Sequence, residues 1–160
     1  MIRAATLRLS PTVYRDASIA SIGVAAHEAG HAIQHANSYA LLGMRTAIVP
    51  IANFGSWLAW PMIMFGLLLH MQQLALAGLI AFLALVVFQL ITLPVEIDAS
   101  RRAKAMLATT GIVNSEEEAL GVKKVLDAAA LTYVAATITA LAQLLYFAMR
   151  LGLFGRRSSD

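Results

Sequence analysis

The sequence predicts an all-α integral membrane protein with about three transmembrane helices. Hydrophobic residues make up 59% of its 160 residues and charged residues only 13%, which is too little charge to cover the surface of a soluble domain. Three apolar stretches, residues 48–69, 74–93 and 128–149, are each long enough to cross a hydrocarbon core of about 30 Å as a helix. Because the length suits one domain, we interpret residues 1–160 as a single membrane-embedded domain.

Cysteine content and charge exclude several other classes of protein. The chain has no cysteine, so disulfides and thiolate metal sites are excluded, and a bound metal would need His, Asp or Glu ligands. The net charge is +3, but the basic residues are scattered among apolar segments, and we expect no nucleic-acid partner. The first 21 residues contain three arginines and a proline, a composition that does not fit a cleaved signal peptide.

The remaining segments are polar or mixed. Residues 1–17 are predicted to be irregular, with a brief strand around Leu7 and Leu9 that Pro11 would end. Residues 18–37 are predicted to form one helix with Ser18 as its cap. After Pro94, residues 95–110 are predicted to form a separate polar helix that stops near position 111, and a capped helix from about position 115 leads into the third span. Residues 152–160 form a tail without predicted structure.

The helix at residues 18–37 contains His27-Glu28-Ala29-Gly30-His31. Residues four apart share one face of a helix, so both imidazoles can bind one zinc ion while Glu28 reaches a metal-bound water, as in zincins. Zinc would polarise the scissile carbonyl, and Glu28 would move the proton of the water to the leaving amine. In the alternative interpretation, the two histidines only form hydrogen bonds inside a core.

A catalytic zinc needs three protein ligands and one open position. The metzincin extension requires Gly at position 34 and His at position 37, but the chain has Gln34 and Asn37, so that subclass is excluded. His35 lies one turn beyond His31 and too far along the axis to share the ion, so we expect a structural or supporting role. The best third ligand is Glu96, which follows the second span where the chain returns to the side of the His helix.

Asp98 offers an alternative to Glu96. The two carboxylates are about 200° apart on a helix, so only one can face the metal. If Glu96 is the ligand, Asp98 would bind a basic neighbour or orient a ligand histidine. If Asp98 is the ligand, the protein would be an intramembrane protease with its zinc buried among apolar residues. In the third span, Tyr133 would either stabilise an oxyanion or join helices by hydrogen bonding.

Three separated segments resemble the YugP-like bacterial membrane-bound neutral zinc metallopeptidases: residues 18–35 around the His-Glu motif, residues 93–100 (Leu-Pro-Val-Glu-Ile-Asp-Ala-Ser), and residues 123–133 (Lys-Lys-Val-Leu-Asp-Ala-Ala-Ala-Leu-Thr-Tyr). The resemblance implies a membrane zinc peptidase with His27 and His31 as ligands and Glu28 as catalytic base. The wider Glu-x-x-Ala-Asp pattern puts Glu96 in the ligand place and Ser100 where that pattern has Asp. The family also implies an N-terminal anchor and a further segment before about Leu7, so the sequence is expected to be N-terminally short.

The function predicted from the sequence is that of a zinc-dependent endopeptidase acting on a membrane or membrane-proximal polypeptide, with Zn²⁺ as cofactor and the lipid bilayer as a further partner. The alternative from another class of protein is a non-catalytic membrane scaffold whose fold is stabilised by zinc, a zinc-stapled scaffold. The predicted location is the bacterial inner membrane, in multi-pass topology. The side with both polar segments holds nine of the twelve Lys and Arg residues, so the positive-inside rule predicts a cytoplasmic active site.

Overall fold

The structure is a computed structural model that describes residues 6–154. Helices form almost all of this range, and the described residues contain no strand. The helices are α1 (Pro11–Arg15), α2 (Ile19–Ala36), α3 (Ala40–Leu68), α4 (Gln72–Thr110) and α5 (Glu116–Arg150). The predicted all-α class is confirmed.

Three of these helices, α3, α4 and α5, are long and apolar enough to cross a membrane. Each contains one of the apolar stretches predicted from the sequence, except that residue 69 lies just beyond the end of α3. Large apolar side chains on them are exposed, including those of Trp57, Ile80 and Leu131. Exposed apolar surface of this extent fits contact with lipid rather than water. The chain is therefore an all-α membrane protein with three candidate spans.

The start of the chain differs from the prediction. The strand expected around Leu7 and Leu9 is wrong, since residues 6–10 have no regular structure. Nor is the segment up to residue 17 wholly irregular, because Pro11 opens the short helix α1 instead of ending a strand. Proline suits the first helical position, where its missing N–H would have had no partner. The Val13 N–H donates to the Ser10 hydroxyl, which caps the helix.

The helix with the His-Glu motif, α2, begins and ends within one residue of the predicted 18–37. As predicted, Ser18 caps it, accepting a hydrogen bond from the Ser21 N–H at 3.2 Å. The hydroxyls of Ser18 and Ser21 also donate to the Asp16 carboxylate. These two hydrogen bonds, that from Ser18 first, lower the pKa of Asp16. The entry to α2 is thus fixed by hydrogen bonds between residues 16 and 21.

The predicted break at Pro94 is absent, because α4 runs without interruption from the second apolar stretch into the polar segment 95–110. Proline removes one backbone hydrogen bond, and a membrane helix tolerates this loss when neighbouring groups compensate. The helix ends at Thr110, next to Gly111 with a φ of 63°. Glycine adopts this left-handed conformation without steric cost and commonly ends a helix, as predicted here.

Helix α5 starts with the predicted cap. The Glu118 N–H donates to Ser115 Oγ at 3.1 Å, and the Glu118 carboxylate accepts from the Asn114 N–H at 3.0 Å. The helix then continues to Arg150, so the apolar stretch 128–149 is its second part. Of the tail predicted at 152–160, residues 152–154 form a turn, and residues 155–160 lie outside the described residues.

The chain divides into two compact units, and the first consists of the residues up to Gly43 and of Thr92–Val134. It contains α1, α2, the polar part of α4 and the first part of α5. Its apolar core comes from small and medium side chains on α2, α4 and α5, namely Ala26, Ala103, Leu107, Val122 and Leu126. This core fixes α2 against the polar part of α4, and all residues of the candidate site belong to this unit.

The second unit consists of Met44–Ile91 and the chain from Ala135 onward. Its core contains Phe82 and Phe147 together with aliphatic residues of α3, α4 and α5. Trp60 packs edge-on against both rings, with centroid distances of 6.0 Å to Phe82 and 5.8 Å to Phe147. The position of Trp60 deep in a predicted span is therefore explained by aromatic packing inside the unit.

Candidate metal centre

Helices α2 and α4 bring together three side chains with metal-binding atoms. One such atom from each of His27, His31 and Glu96 lies within 4.8 Å of the other two. Glu96 Oε2 lies 3.0 Å from His27 Nε2 and 3.4 Å from His31 Nε2. The two imidazoles meet edge to face, with their centroids 4.8 Å apart. The two histidines separated by one helical turn therefore face the same carboxylate oxygen.

Burial differs sharply among the residues of the motif and Glu96. Glu96 is 1% exposed, whereas His27 and His31 are half-buried and Glu28 is exposed. A buried carboxylate requires compensating partners, because an unpaired charge is costly away from water. The two imidazoles stand beside it, while the Glu28 carboxylate remains accessible from outside the protein.

The close approach of α2 to α4 depends on Gly30. A Cβ atom at this position would clash with the carbonyl oxygen of Ala99 and would lie 2.9 Å from its carbonyl carbon. Ala99 is itself fully buried on α4. Glycine in a helix is roughly 1 kcal/mol less favourable than alanine. Here the missing side chain allows the backbone contact that brings the histidines to Glu96.

Gly30→Ala is therefore expected to destabilise the first unit by about 1–3 kcal/mol or more, the usual effect of overpacking, and to weaken zinc binding. The new methyl group would meet backbone atoms, which cannot move aside as a flexible side chain can. Thermal unfolding and zinc titration of the purified protein would measure both effects.

The matched control is Gly43→Ala, since a Cβ at Gly43 would meet nothing within 4 Å. This variant should be neutral or slightly more stable, because alanine is the better helix former. Equal behaviour of the two variants would show that the contact between Gly30 and Ala99 is not needed for the site.

His27 has a second polar neighbour on α4. Its Nδ1 atom lies 3.1 Å from the hydroxyl oxygen of Ser100, which is buried. Ser100 stands where the wider Glu-x-x-Ala-Asp pattern has Asp, and its hydroxyl contacts the imidazole of His27. A polar partner at the second ring nitrogen orients a ligand histidine.

His31 has a different partner, Gln34. In the sequence, this residue only excludes the metzincin pattern, and its contact with the histidine is not predicted. Gln34 Oε1 lies 2.9 Å from His31 Nδ1, and the Gln34 side chain is completely buried. Its position three residues after His31, on the same helix face, is the signal that could have identified it.

Asp98 does not join the group formed by His27, His31 and Glu96. Its two carboxylate oxygens accept hydrogen bonds from Arg101 Nη2 at 2.7 Å and from Arg102 Nε at 2.6 Å. It also accepts a hydrogen bond from Gln34 Nε2 at 3.0 Å. This geometry agrees with the expectation that Asp98 binds basic neighbours while Glu96 faces the histidines.

The other two sequence candidates lie outside this group of three. His35 is exposed on the last turn of α2, and Tyr133 is half-buried on α5. The position of His35 agrees with the expectation that a third successive turn of the helix lies too far along the axis to share one ion.

The surroundings of His31 raise its pKa, so its imidazole binds a proton more readily than a free imidazole does. The hydrogen bond with Glu96 is the main cause that raises the pKa of His31, and the Gln34 contact acts in the same direction against the effect of burial. A metal ion requires the neutral imidazole and would displace this proton.

The donor set fits a catalytic zinc ion. Two imidazole nitrogens and one carboxylate oxygen are the ligands of one common class of catalytic zinc site, in which the fourth position stays open. The buried anionic oxygen of Glu96 between two imidazoles supplies the negative charge that a divalent cation requires. The two helices therefore place three suitable ligand atoms close enough together to bind one metal ion.

Comparison with known proteins decides the family. A family model described as "Putative neutral zinc metallopeptidase" matches residues 2–152. The chain belongs to this neutral zinc metallopeptidase family. The resemblance inferred from the three sequence segments is thus confirmed. The family implies Zn²⁺ as the cofactor, and the group formed by His27, His31 and Glu96 could bind it.

A curated relative gives the same indication. The chain is 50% identical over 143 residues to "Putative membrane protease YugP" of Bacillus subtilis (strain 168). The match covers 89% of this chain but 63% of the relative, so this chain spans less than two thirds of the length of the protein it matches. No solved structure gives a significant match.

Proposed function

We propose that this member of the neutral zinc metallopeptidase family is a zinc-dependent endopeptidase of the membrane. His27, His31 and Glu96 hold the zinc ion, and Glu28 is the general base. The observation that supports this proposal most directly is the convergence of three donor atoms within 4.8 Å from two different helices. The substrate class is a polypeptide, either a membrane protein or one close to the membrane.

Bound zinc would supply Lewis acidity, which polarises a peptide carbonyl and lowers the pKa of water. Glu28 accepts a proton from the attacking water while the water oxygen forms a bond to the carbonyl carbon of the substrate. It then donates that proton to the amide nitrogen as the C–N bond breaks. The exposed position of Glu28 fits this role, because the carboxylate must reach both water and substrate.

Glu96 is favoured over Asp98 as the third ligand by the contacts of the two carboxylates. Glu96 Oε2 faces both histidines, whereas Asp98 is engaged by two arginines and a buried glutamine. Taking Asp98 into the zinc site would leave these arginines without their carboxylate partner.

The function is tested by measuring zinc content and peptide hydrolysis with the full chain in detergent or lipid bilayers. We expect one zinc ion per chain, hydrolysis of a quenched fluorescent peptide, and loss of both after treatment with a chelator. Restoring zinc should restore hydrolysis.

Stoichiometric zinc without hydrolysis of soluble or membrane substrates would support a zinc-stapled scaffold and contradict the proposal. If a transmembrane-helix substrate is cut and soluble peptides are ignored, the protein would instead be an intramembrane protease.

We further propose that the chain lies in a bacterial inner membrane with its zinc site on the cytoplasmic side, because the positive charges concentrate on that side. The absence of native cysteine makes single-cysteine labelling possible without background. A membrane-impermeant maleimide should label Met71→Cys, at the turn after α3, from outside intact spheroplasts. It should label Glu117→Cys, at the start of α5, only after the membrane is broken, and the reverse result would invert the topology.

A further inference from the structure

The hydrogen bonds of Gln34 allow only one orientation of its amide group. Gln34 Nε2 donates to the Val95 carbonyl oxygen at 2.8 Å and to Asp98 Oδ2 at 3.0 Å. Both of these partners can only accept. If the amide were flipped, its oxygen would face two acceptors inside a buried site, which is electrostatically unfavourable. The NH2 group must therefore point toward Val95 and Asp98.

This orientation determines where His31 carries its proton. Gln34 Oε1 lies 2.9 Å from His31 Nδ1, and an amide oxygen can only accept. His31 Nδ1 must therefore carry a hydrogen and donate it. The other nitrogen, Nε2, lies 3.4 Å from Glu96 Oε2, an oxygen that accepts. Without a metal, a hydrogen on Nε2 would be donated to Glu96, and a bound metal ion would replace this hydrogen and take the Nε2 lone pair.

Gln34 is in turn held by an anchored charge. Asp98 is 7% exposed, and Arg101 and Arg102 bind it at 2.7 Å and 2.6 Å. Hydrogen bonds to a charged acceptor are stronger than neutral ones, so Asp98 strongly favours the observed direction of the amide. A continuous series of contacts thus links the arginines through Asp98 and Gln34 to His31.

We propose that Gln34 is a positioning residue that holds His31 in the Nδ1–H tautomer with Nε2 free for the metal, and that Asp98 fixes the direction of the Gln34 amide. The proposal rests on the proposed function in one respect, the role of His31 as a zinc ligand. Ser100 supports His27 through a hydroxyl, which can donate as well as accept, so only the partner of His31 dictates a tautomer.

The protonated nitrogen can be identified in the zinc-loaded protein by long-range ¹H–¹⁵N spectra of ¹⁵N-histidine-labelled chain, because a ring that binds zinc through one nitrogen carries its hydrogen on the other. Wild-type His31 should show protonated Nδ1. In Gln34→Met the ring loses its acceptor, and the signals of His31 should move toward a mixture of tautomers. The signals of His27, whose partner is unchanged, serve as the internal reference.

Zinc affinity gives a second readout that does not depend on catalysis. Gln34→Met should weaken zinc binding by about 10–100-fold, the usual effect of losing the partner of a ligand histidine. Gln143→Met, a glutamine substitution on α5 outside the first unit, should bind zinc like the wild type.

A wild-type His31 with protonated Nε2, or a folded Gln34→Met variant with unchanged tautomer and zinc affinity, would overturn the proposal. If Gln34→Met does not fold, the wild-type spectrum still decides whether His31 carries the Nδ1 proton. Failure of the proposed function alone would look different, because the wild type would then bind zinc without hydrolysing peptides while the His31 spectrum kept its outcome. A wild type that binds no zinc would overturn both proposals.

Discussion

Glu28→Gln is expected to retain zinc and to reduce peptide hydrolysis by at least about 10²–10⁴-fold, the usual contribution of a general base. The amide has nearly the shape of the carboxylate but cannot accept the proton of the attacking water. Because the Glu28 side chain is exposed, the substitution should change the free energy of unfolding by less than about 0.5 kcal/mol. The turnover of a fluorogenic peptide and the zinc content of the same preparation are the measurements.

Glu117→Gln is a suitable control for this experiment. It makes the same chemical change at an exposed glutamate in the first turn of α5, and both turnover and zinc content should stay at the wild-type level. Wild-type turnover in Glu28→Gln would eliminate Glu28 as the base. Loss of zinc in that variant would show that the carboxylate has a role in metal binding instead.

Glu96→Gln is expected to weaken zinc binding more than any substitution of a supporting residue. The variant keeps the volume of a side chain that is almost completely buried, but it removes the anionic oxygen that faces both histidines. The loss should therefore exceed the roughly 10–100-fold that is typical of an outer partner of a ligand. Titration with zinc against a competing chelator would give the affinity, and circular dichroism would verify that the helices persist.

Asp98→Asn provides the comparison for Glu96→Gln, because it removes the charge of the other candidate ligand. The asparagine side chain would keep an oxygen that can accept from Gln34, so zinc affinity should fall by about tenfold or less. A larger loss in Asp98→Asn than in Glu96→Gln would reverse the assignment and favour Asp98 as the third ligand.

Local sequence patterns predicted most of the helical structure. The three apolar stretches lie in long helices, apart from residue 69, which follows the end of α3. Ser18, Ser115 and Gly111 act at helix ends as their residue types indicate. The errors fall where a local signal has two meanings. Pro11 is predicted to end a strand, but it opens helix α1. Pro94 is predicted to separate two helices, but it is accommodated within helix α4.

The sequence by itself determined the membrane character of the chain and the pairing of His27 with His31, since composition and helical periodicity are local properties. It also named Glu96 as a candidate, but it left Asp98 as a rival. Only the tertiary structure decided which carboxylate faces the histidines, because residues 69 positions apart in the chain, such as His27 and Glu96, meet through helix packing.

The same packing decided the roles of Gly30 and Gln34. In the sequence, Gly30 is a small residue in a helix and Gln34 a polar residue after the motif. In the fold, Gly30 lets the backbones of α2 and α4 approach. Gln34 links His31 to the buried carboxylate of Asp98. Such roles depend on the distances between helices, which no pattern of spacing along one helix contains.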